Sequence, residues 1–315
     1  MKTMQAVRIH TYGGPEVLKY EEAPLPKPGP GDALVRVHAA GVNPVDWKIR
    51  EGYFKGRVNH SLPLILGWDL SGVVEATGSG VEGLKKDDEV YSRPDFARDG
   101  AYAEYIVVRE TEVALKPKSI DHVHAAAIPL AALTAWQSLF DSAGLSAGQK
   151  VLIHAAAGGV GSFAVQLAKW KGAYVIGTAS SRNQDFVRKL GADETIDYQT
   201  TRFEDVVHDV DVVFDTIGGD TQKRSWKVLK KGAILVSIVG RIDPPSAEEA
   251  AAHGVRQASV FVQPSAAQLT ELAKLVDSGK LRPDVETVLR LSEARHAHEL
   301  SQTGHTRGKI VLRVV

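Results

Sequence analysis

The sequence predicts an α/β protein of two domains, in which a domain with a parallel sheet interrupts a β-rich domain. Its 315 residues are enough for about two domains. Residues 1–123 have the pattern of short strands between turns, whereas strand-like and helix-like segments alternate about every 20 residues through 124–264. Strand character returns in GKIVLRVV at the end of the chain. We therefore expect residues 265–315 to complete the first domain.

The two domains differ in their predicted elements. In the first, QAVRIH, DALVRVHAA, SGVVEA, AYAEYIVV and EVALK have the β-branched content of strands, and TYGGPE and PLPKPGPGD indicate turns. In the second, strands are expected to begin near residues 151, 174, 194, 211, 233 and 256, with helices in most of the gaps. This alternation predicts a doubly wound parallel sheet with helices on both faces.

Composition limits the classes of function. Thirty-eight basic residues balance 38 acidic ones, so charge gives no reason to expect a nucleic acid or membrane partner. The absence of cysteine excludes disulfides, a cysteine nucleophile and thiolate metal ligands. The longest mostly apolar stretch, residues 125–136, is too short to span a bilayer, and the first residues lack a signal-peptide pattern. We expect a soluble, cytoplasmic protein.

The segment KVLIHAAAGGVGSFAVQLAKWKG has the order strand, glycine loop, helix. Glycines at the loop let the backbone turn and approach a pyrophosphate, and the last glycine lets the helix pack close to the sheet. The helix N-terminus offers free N–H groups and a positive dipole end. The alternative is a tight turn without a ligand. The pattern favours a dinucleotide cofactor held by Ala157, Gly158, Gly159, Val160 and Gly161.

The end of the following strand, GTASSRNQD, predicts which dinucleotide binds. An acid here would hold a ribose 2′-hydroxyl, but none occurs before Asp185. Thr178, Ser180 and Ser181 offer hydroxyl groups, and Arg182 is suited to a 2′-phosphate. The sequence therefore favours NADP over NAD. The alternative for Arg182 is a solvated surface arginine.

Several motifs, taken together and in order, resemble those of one family. They are GVNPVDWKIREG, LILGWDLSGVV, GAYAEYIVV, AAAIPLAALTAW, VLIHAAAGGVG, LGADETIDY and GKIVL. The chain resembles the medium-chain dehydrogenase/reductase superfamily, in its zinc-free quinone oxidoreductase branch, over nearly its whole length. The resemblance implies a GroES-like β-barrel catalytic domain interrupted by a Rossmann domain, with the active site in the cleft.

One departure from zinc-dependent members bears on the chemistry. Those enzymes resemble this chain around Asn43 and Trp68 but place a Cys and a His there as metal ligands. A lone carboxylate such as Asp69 does not make a zinc site, so we expect no metal. Without a Lewis acid, a conjugated acceptor is easier to reduce than a simple ketone.

Three functions stay open at this point. The first is NADPH-dependent hydride transfer to a quinone. The second is NADPH-dependent reduction of an alkenal or enone C=C bond, which NPVDWK and SSRN favour somewhat. The third, of another class, is a low-turnover NADPH-binding protein similar to the lens crystallins of this branch.

The resemblance also implies site residues. Asn43 would donate to a substrate oxygen, Lys48 would contact cofactor or substrate, and Tyr53 would line the pocket mouth or donate a proton. Asp69 would pair with Lys48 or orient a polar group. The alternatives are a turn residue for Asn43, a solvated lysine and a packed tyrosine. Further cofactor contacts are implied for Thr134, Tyr198, Val239, Gly240, Arg307 and Lys309.

The run VRQASVFVQ, residues 255–263, is predicted to be the terminal strand of the parallel sheet. A terminal strand leaves backbone groups unpaired, and two such edges could pair across a twofold axis. The resemblance implies the same homodimer. The alternative is that the preceding segment RIDPPSAEEAAAHG shields the edge with its prolines and acids.

Overall fold

The computed structural model describes residues 2–58, 60–239 and 246–315. They form two compact units, the first made of Met1–Leu133 with Gln263–Val315 and the second of Thr134–Val262. The first boundary falls ten residues after the predicted one, because Ala126 and Ala127 pack with Ala39 and Val311 in a buried cluster of the first unit.

The described residues contain sixteen strands and nine α-helices. The strands are β1 (Thr3–Ile9), β2 (Leu18–Pro24), β3 (Asp32–Val42), β4 (Leu64–Ile65), β5 (Leu70–Thr77), β6 (Glu89–Ser92), β7 (Tyr105–Arg109), β8 (Val113–Leu115), β9 (Lys150–Ile153), β10 (Tyr174–Ala179), β11 (Glu194–Asp197), β12 (Val210–Asp215), β13 (Leu229–Ser237), β14 (Arg256–Ser259), β15 (Val285–Arg290) and β16 (Lys309–Arg313). The helices are α1 (Pro44–Arg50), α2 (His122–Ala126), α3 (Pro129–Trp136), α4 (Gly159–Trp170), α5 (Gln184–Lys189), α6 (Gly219–Ser225), α7 (Ala247–Ala252), α8 (Ala266–Asp277) and α9 (Ala294–Gln302).

The first unit is built on two sheets. One has the order β2-β1-β4, and the other has the order β15-β16-β3-β5-β6-β8, with β7 also paired to β3. Strand β3 shifts register against β5 at Leu34/Val35 and Val37/Ala39, and it changes partner from β7 to β16 along its length. The predicted barrel is therefore present as two sheets whose pairings do not close into a ring within the described ranges.

The second unit is a six-stranded sheet in the order β11-β10-β9-β12-β13-β14, with every pair parallel. This is the order of two βαβαβ halves that meet at β9 and β12. Buried side chains such as Leu152, Ile176, Val213 and Trp226 form its core. The Rossmann prediction is confirmed, and all six strands begin within four residues of the expected positions.

Within the described residues, no helix combines the length and the apolar character that a membrane span needs.

Candidate functional site

A buried polar cluster lies where β3 ends and α1 begins. Asn43 is the residue between them, and Pro44 starts the helix with the fixed φ that suits a first helical position. The Asn43 side-chain amide nitrogen donates to Oδ2 of Asp69 over 2.8 Å. Its carbonyl oxygen accepts a hydrogen bond from Nζ of Lys309, the first residue of β16.

Asp69 is the anionic centre of this cluster. Its side chain accepts from Asn43, from Nζ of Lys309 at 3.2 Å and from the backbone N–H of Leu130 at 2.6 Å. Burial raises the pKa of Asp69, and the charge of Lys309 with these hydrogen bonds opposes the rise. Asp69 bonds the Asn43 amide, and its cationic partner is Lys309 rather than the predicted Lys48. Its role in orienting a polar group of the active site stays a prediction.

Gly41 leaves the space that Asp69 occupies. A Cβ atom at Gly41 would lie 2.5 Å from the carbonyl oxygen of Ala126 and 2.9 Å from Oδ2 of Asp69. No side chain larger than hydrogen fits here without displacing the carboxylate. The sequence analysis missed this glycine, because it lies inside a strand and carries no turn signal.

A second chain of hydrogen bonds runs from the same helix start. Oδ2 of Asp46 accepts from the backbone N–H of Asn43 and from the Tyr102 hydroxyl, both at 2.8 Å. His298 contacts the Tyr102 hydroxyl through Nε2 at 3.3 Å and Arg50 through Nδ1 at 3.1 Å. A guanidinium only donates, so Nδ1 of His298 accepts and Nε2 carries the proton. The chain is therefore directed from Arg50 towards Asp46.

Burial determines the charge states along this chain. It raises the pKa of Asp46 to about 7, and it lowers the pKa of His298 to about 3. The side chains of this chain of hydrogen bonds were missed by the sequence analysis; they are Arg50, His298, Tyr102 and Asp46. Asp46 carried a local signal, since an acid three residues after a helix N-cap bonds back to the cap backbone. Tyr102 and His298 are far apart in sequence and carried none.

The other predicted catalytic residues lie on or just after α1. The Lys48 ammonium is 5.5 Å from the centre of the Trp47 ring, and burial lowers the pKa of Lys48. Tyr53 is 53% exposed and meets the Trp47 ring edge-on. Contacts of Lys48 and Tyr53 with substrate or cofactor stay predictions.

In the second unit, the glycine loop leads from β9 into α4. Helix α4 begins at Gly159, and Gly158 before it has no side chain to cap the first turn. Ala155 takes a positive φ of 46° to make the turn. A Cβ atom at Gly161 would lie 2.2 Å from the Ala155 carbonyl oxygen, so only glycine permits this approach. The open N-terminus of a twelve-residue helix fits a pyrophosphate.

The remaining loop positions differ in exposure. Ala157 is buried, whereas Gly158, Gly159 and Val160 are half-buried. Because a glycine has no side chain, the backbone of Gly158 and Gly159 is partly exposed.

His154, the residue before this loop, has a buried side chain that bonds to two other segments of the unit. His154 contacts Thr178 through Nδ1 at 3.2 Å and Ser225 through Nε2 at 2.9 Å. The Ser225 hydroxyl donates to the carbonyl of Thr221, so Nε2 of His154 is the donor to Ser225. Burial lowers the pKa of His154 to about 4. Thr178, predicted as a cofactor contact, is buried and here holds His154 and the loop N–H of Ala155.

The predicted phosphate-binding residues follow β10. Ser180 is half-buried, and Ser181 and Arg182 are exposed. The Ser181 hydroxyl donates to Oδ2 of Asp197, a residue that the sequence analysis did not consider. Tyr198, expected near the adenine ribose, is 54% exposed.

Strand order explains why Asp197 was missed. Strand β11 pairs in parallel with β10, and Asp197 is the partner of Ala179. The carboxyl ends of two neighbouring parallel strands therefore place Asp197 beside Ser181. An acid on β11 is distant in sequence from the end of β10, so no local pattern after β10 indicates it.

The remaining predicted cofactor residues are dispersed. Thr134 is buried in α3, and Val239 follows β13 with its N–H donating to the Ser237 hydroxyl. Arg307 contacts Asp284 through Nε at 3.2 Å. Gly240 lies outside the described residues. Their contacts with a cofactor stay predictions. The described part of the chain contains no group of three or more His, Asp or Glu side chains that could hold a metal ion.

The chain was compared with known proteins. The family described as "Alcohol dehydrogenase GroES-like domain" matches residues 29–118, and the family described as "Zinc-binding dehydrogenase" matches residues 190–312. A relative from Arabidopsis thaliana, named NADPH-dependent alkenal/one oxidoreductase, is 38% identical over 99% of this chain and 80% of its own length. The zebrafish (Danio rerio) NAD(P)H oxidoreductase RTN4IP1, named mitochondrial, is 34% identical over 99% of this chain and 92% of its own length.

Among solved structures, the quinone oxidoreductase from Coxiella burnetii superposes with a TM-score of 0.93. It is 38% identical, and all of both chains is covered. These relatives and this neighbour, all named oxidoreductases, show that the chain is an NAD(P)H-type oxidoreductase. The chain belongs to the medium-chain dehydrogenase/reductase superfamily, in its quinone oxidoreductase and enone reductase branch.

Proposed function

We propose that this chain is a zinc-independent reductase that transfers hydride from NADPH to a quinone. The observation that carries the proposal is the buried Asn43 amide, which is held between a carboxylate and an ammonium. NADPH supplies the hydride when it is bound. Reduction leaves negative charge on a conjugated oxygen, and an oriented N–H donor stabilises such charge without a Lewis acid.

NADP(H) is the cofactor of the second unit. The glycine loop opens onto an uncapped helix N-terminus, and Gly161 permits an approach that a side chain would block. Ser180, Ser181 and Arg182 supply hydroxyl and guanidinium donors of the kind that a 2′-phosphate needs. The Arabidopsis relative is likewise named for NADPH.

The donor chemistry of this chain supports zinc independence. An amide and an indole stand at the two positions where zinc-dependent members carry Cys and His, and neither group is a zinc ligand. The Trp68 ring is buried, and its N–H donates to the carbonyl of Arg98 at 3.2 Å. The word zinc in one matching family description therefore describes that family and not the donors present here.

Reduction of an alkenal or enone is the second candidate, because the Arabidopsis relative is named for that chemistry. The test is the kcat/KM for 1,4-benzoquinone and for trans-2-hexenal, each with NADPH. At least a tenfold preference for the quinone is expected. The reverse preference would assign the enone reaction. NADPH binding without turnover of either substrate would contradict both and favour a crystallin-like binding protein.

We also propose a homodimer that forms through β14. This strand ends the parallel sheet, so one of its edges has no neighbour in the described sheet. Light scattering should give twice the chain mass of 34.0 kDa. The predicted strand of residues 255–263 is shorter in the structure, because β14 ends at Ser259 and the Val260 N–H donates inward to the Ser237 carbonyl of β13, so Val260 does not lie on the free edge. A single-chain mass in the unmutated protein would favour a shielded edge. We further propose that the substrate is a small molecule, that the chain has no nucleic acid or membrane partner, and that it is cytoplasmic. The zebrafish relative, in contrast, is named mitochondrial.

A further inference from the structure

Lys309 has an unusual set of contacts for a residue that the family resemblance places at the cofactor. Only 3% of its surface is exposed. Its ammonium donates to the carbonyl oxygen of Val42 at 3.2 Å, to Oδ1 of Asn43 and to Oδ2 of Asp69 at 3.2 Å. An ammonium has three hydrogens, so these three acceptors use its whole donor capacity.

These contacts determine which way the Asn43 amide points. The Lys309 ammonium only donates, so it requires the amide oxygen on its side. The Asp69 carboxylate accepts, so it requires the amide nitrogen on the other side. A flipped amide would place its N–H groups against the ammonium and its oxygen against the carboxylate. Asp69 and Lys309 together therefore permit one orientation.

The same arrangement polarises the amide. The positive charge at Oδ1 draws electron density from the amide nitrogen and makes its N–H groups stronger donors. That nitrogen carries two hydrogens, and Asp69 takes one of them. The second is the donor that a substrate oxygen requires.

We propose that Lys309 is a positioning residue that acts through Asn43, and that it does not contact the cofactor. The inference rests on the proposed role of Asn43 as the donor to the substrate oxygen. Lys309 holds the amide in its donating orientation and polarises its N–H groups. A purely structural lysine would do neither.

The test compares Lys309→Met with a matched control, Lys116→Met. Lys116 is a second buried lysine of the first unit, and it donates to the carbonyls of Pro117 and Ile120, away from Asn43. Lys309→Met should lower kcat with the quinone at least 30-fold, while the Kd of NADPH, followed by its fluorescence, changes less than twofold. Lys116→Met should change kcat and the Kd of NADPH by less than threefold. Lys309→Arg should recover part of the kcat that Lys309→Met loses.

Two further measurements test the role of Lys309. In ¹H–¹⁵N spectra, the Asn43 side-chain hydrogens should exchange with solvent at least tenfold faster in Lys309→Met, a readout that needs no activity. If that variant does not fold, adding Asp69→Asn removes both buried charges, and the same loss of kcat is expected. A tenfold rise in the Kd of NADPH, or unchanged kcat and exchange, would overturn the proposal. Absence of turnover in the unmutated protein would instead refute the proposed function.

Discussion

The Ser181 hydroxyl donates a hydrogen bond to the carboxylate of Asp197 across the ends of two neighbouring parallel strands. This contact sets a negative charge beside the hydroxyl and guanidinium groups proposed to hold a 2′-phosphate. We therefore expect cofactor selectivity in this chain to depend on two opposing charges, those of Arg182 and Asp197.

Arg182 is expected to supply most of the preference for NADPH. The unmutated protein should bind NADPH at least tenfold more tightly than NADH, which corresponds to about 1.4 kcal/mol. Arg182→Ala should remove most of that difference by weakening NADPH binding alone. Fluorescence titration with each cofactor measures the two Kd values. Equal Kd values in the unmutated protein would refute the predicted preference for NADPH.

Asp197 is expected to limit the same preference. Asp197→Asn removes the charge that opposes a 2′-phosphate and releases Ser181 to donate to it, so the NADPH-to-NADH affinity ratio should rise roughly threefold or more. Asp185→Asn is the matched control, because Asp185 is an exposed acid of the same unit that pairs with Arg188. An unchanged ratio in Asp197→Asn, or an equal rise in the control, would argue against this role.

Asp46 should make stability depend on pH. Burial raises its pKa in the folded protein to about 7, whereas an unfolded aspartate titrates near 4. Between these values the folded state holds a proton that the unfolded state has lost. The Asp46 contribution to the free energy of unfolding therefore falls as pH rises from about 4 to 7, by at most about 1.4 kcal/mol per pH unit.

The buried histidines act in the opposite direction. The pKa of His154 is lowered to about 4 and that of His298 to about 3, so both favour the folded state as pH rises towards 6.5. The difference between the unmutated protein and Asp46→Asn isolates the carboxyl. Urea unfolding at pH 5, 6 and 7 should show that difference changing with pH. Exposed Glu82→Gln serves as the control, and a pH-independent difference for Asp46→Asn would contradict the assignment.

Gly41→Ala should disturb the Asn43 cluster through steric overlap. Its Cβ would meet the Ala126 carbonyl at 2.5 Å and Asp69 Oδ2 at 2.9 Å, so the free energy of unfolding should fall by about 1–3 kcal/mol, with a loss of kcat. Gly29→Ala is the control, since its nearest contact would be 3.5 Å. Equal stability of the two variants in urea would show that the space around Gly41 is not restrictive.

The sequence predicted the features that local patterns encode. The order strand, glycine loop, helix is contiguous, so the loop at Gly158 and Gly161 and all six parallel strands could be inferred. The buried polar cluster around Asn43 could not be inferred in this way. Asn43 meets Lys309 across a separation of 266 residues and Asp69 across 26, and no local pattern records such pairs.

Some features were missed because strand neighbours are not sequence neighbours. Asp197 lies beside Ser181 only once β11 is placed next to β10. Similarly, Tyr102 meets His298 only when α9 packs within the first unit. The resemblance to a family indicated that Lys309 matters, but its contacts were visible only in the folded chain.

We propose above that this chain reduces a conjugated acceptor with NADPH and without zinc. The most direct test is NADPH oxidation at 340 nm with 1,4-benzoquinone, before and after exhaustive dialysis against a chelator, with zinc measured in the same samples. We expect the same rate in both samples and less than a tenth of a zinc ion per chain. Loss of the rate on dialysis and its recovery with added zinc would contradict the proposal.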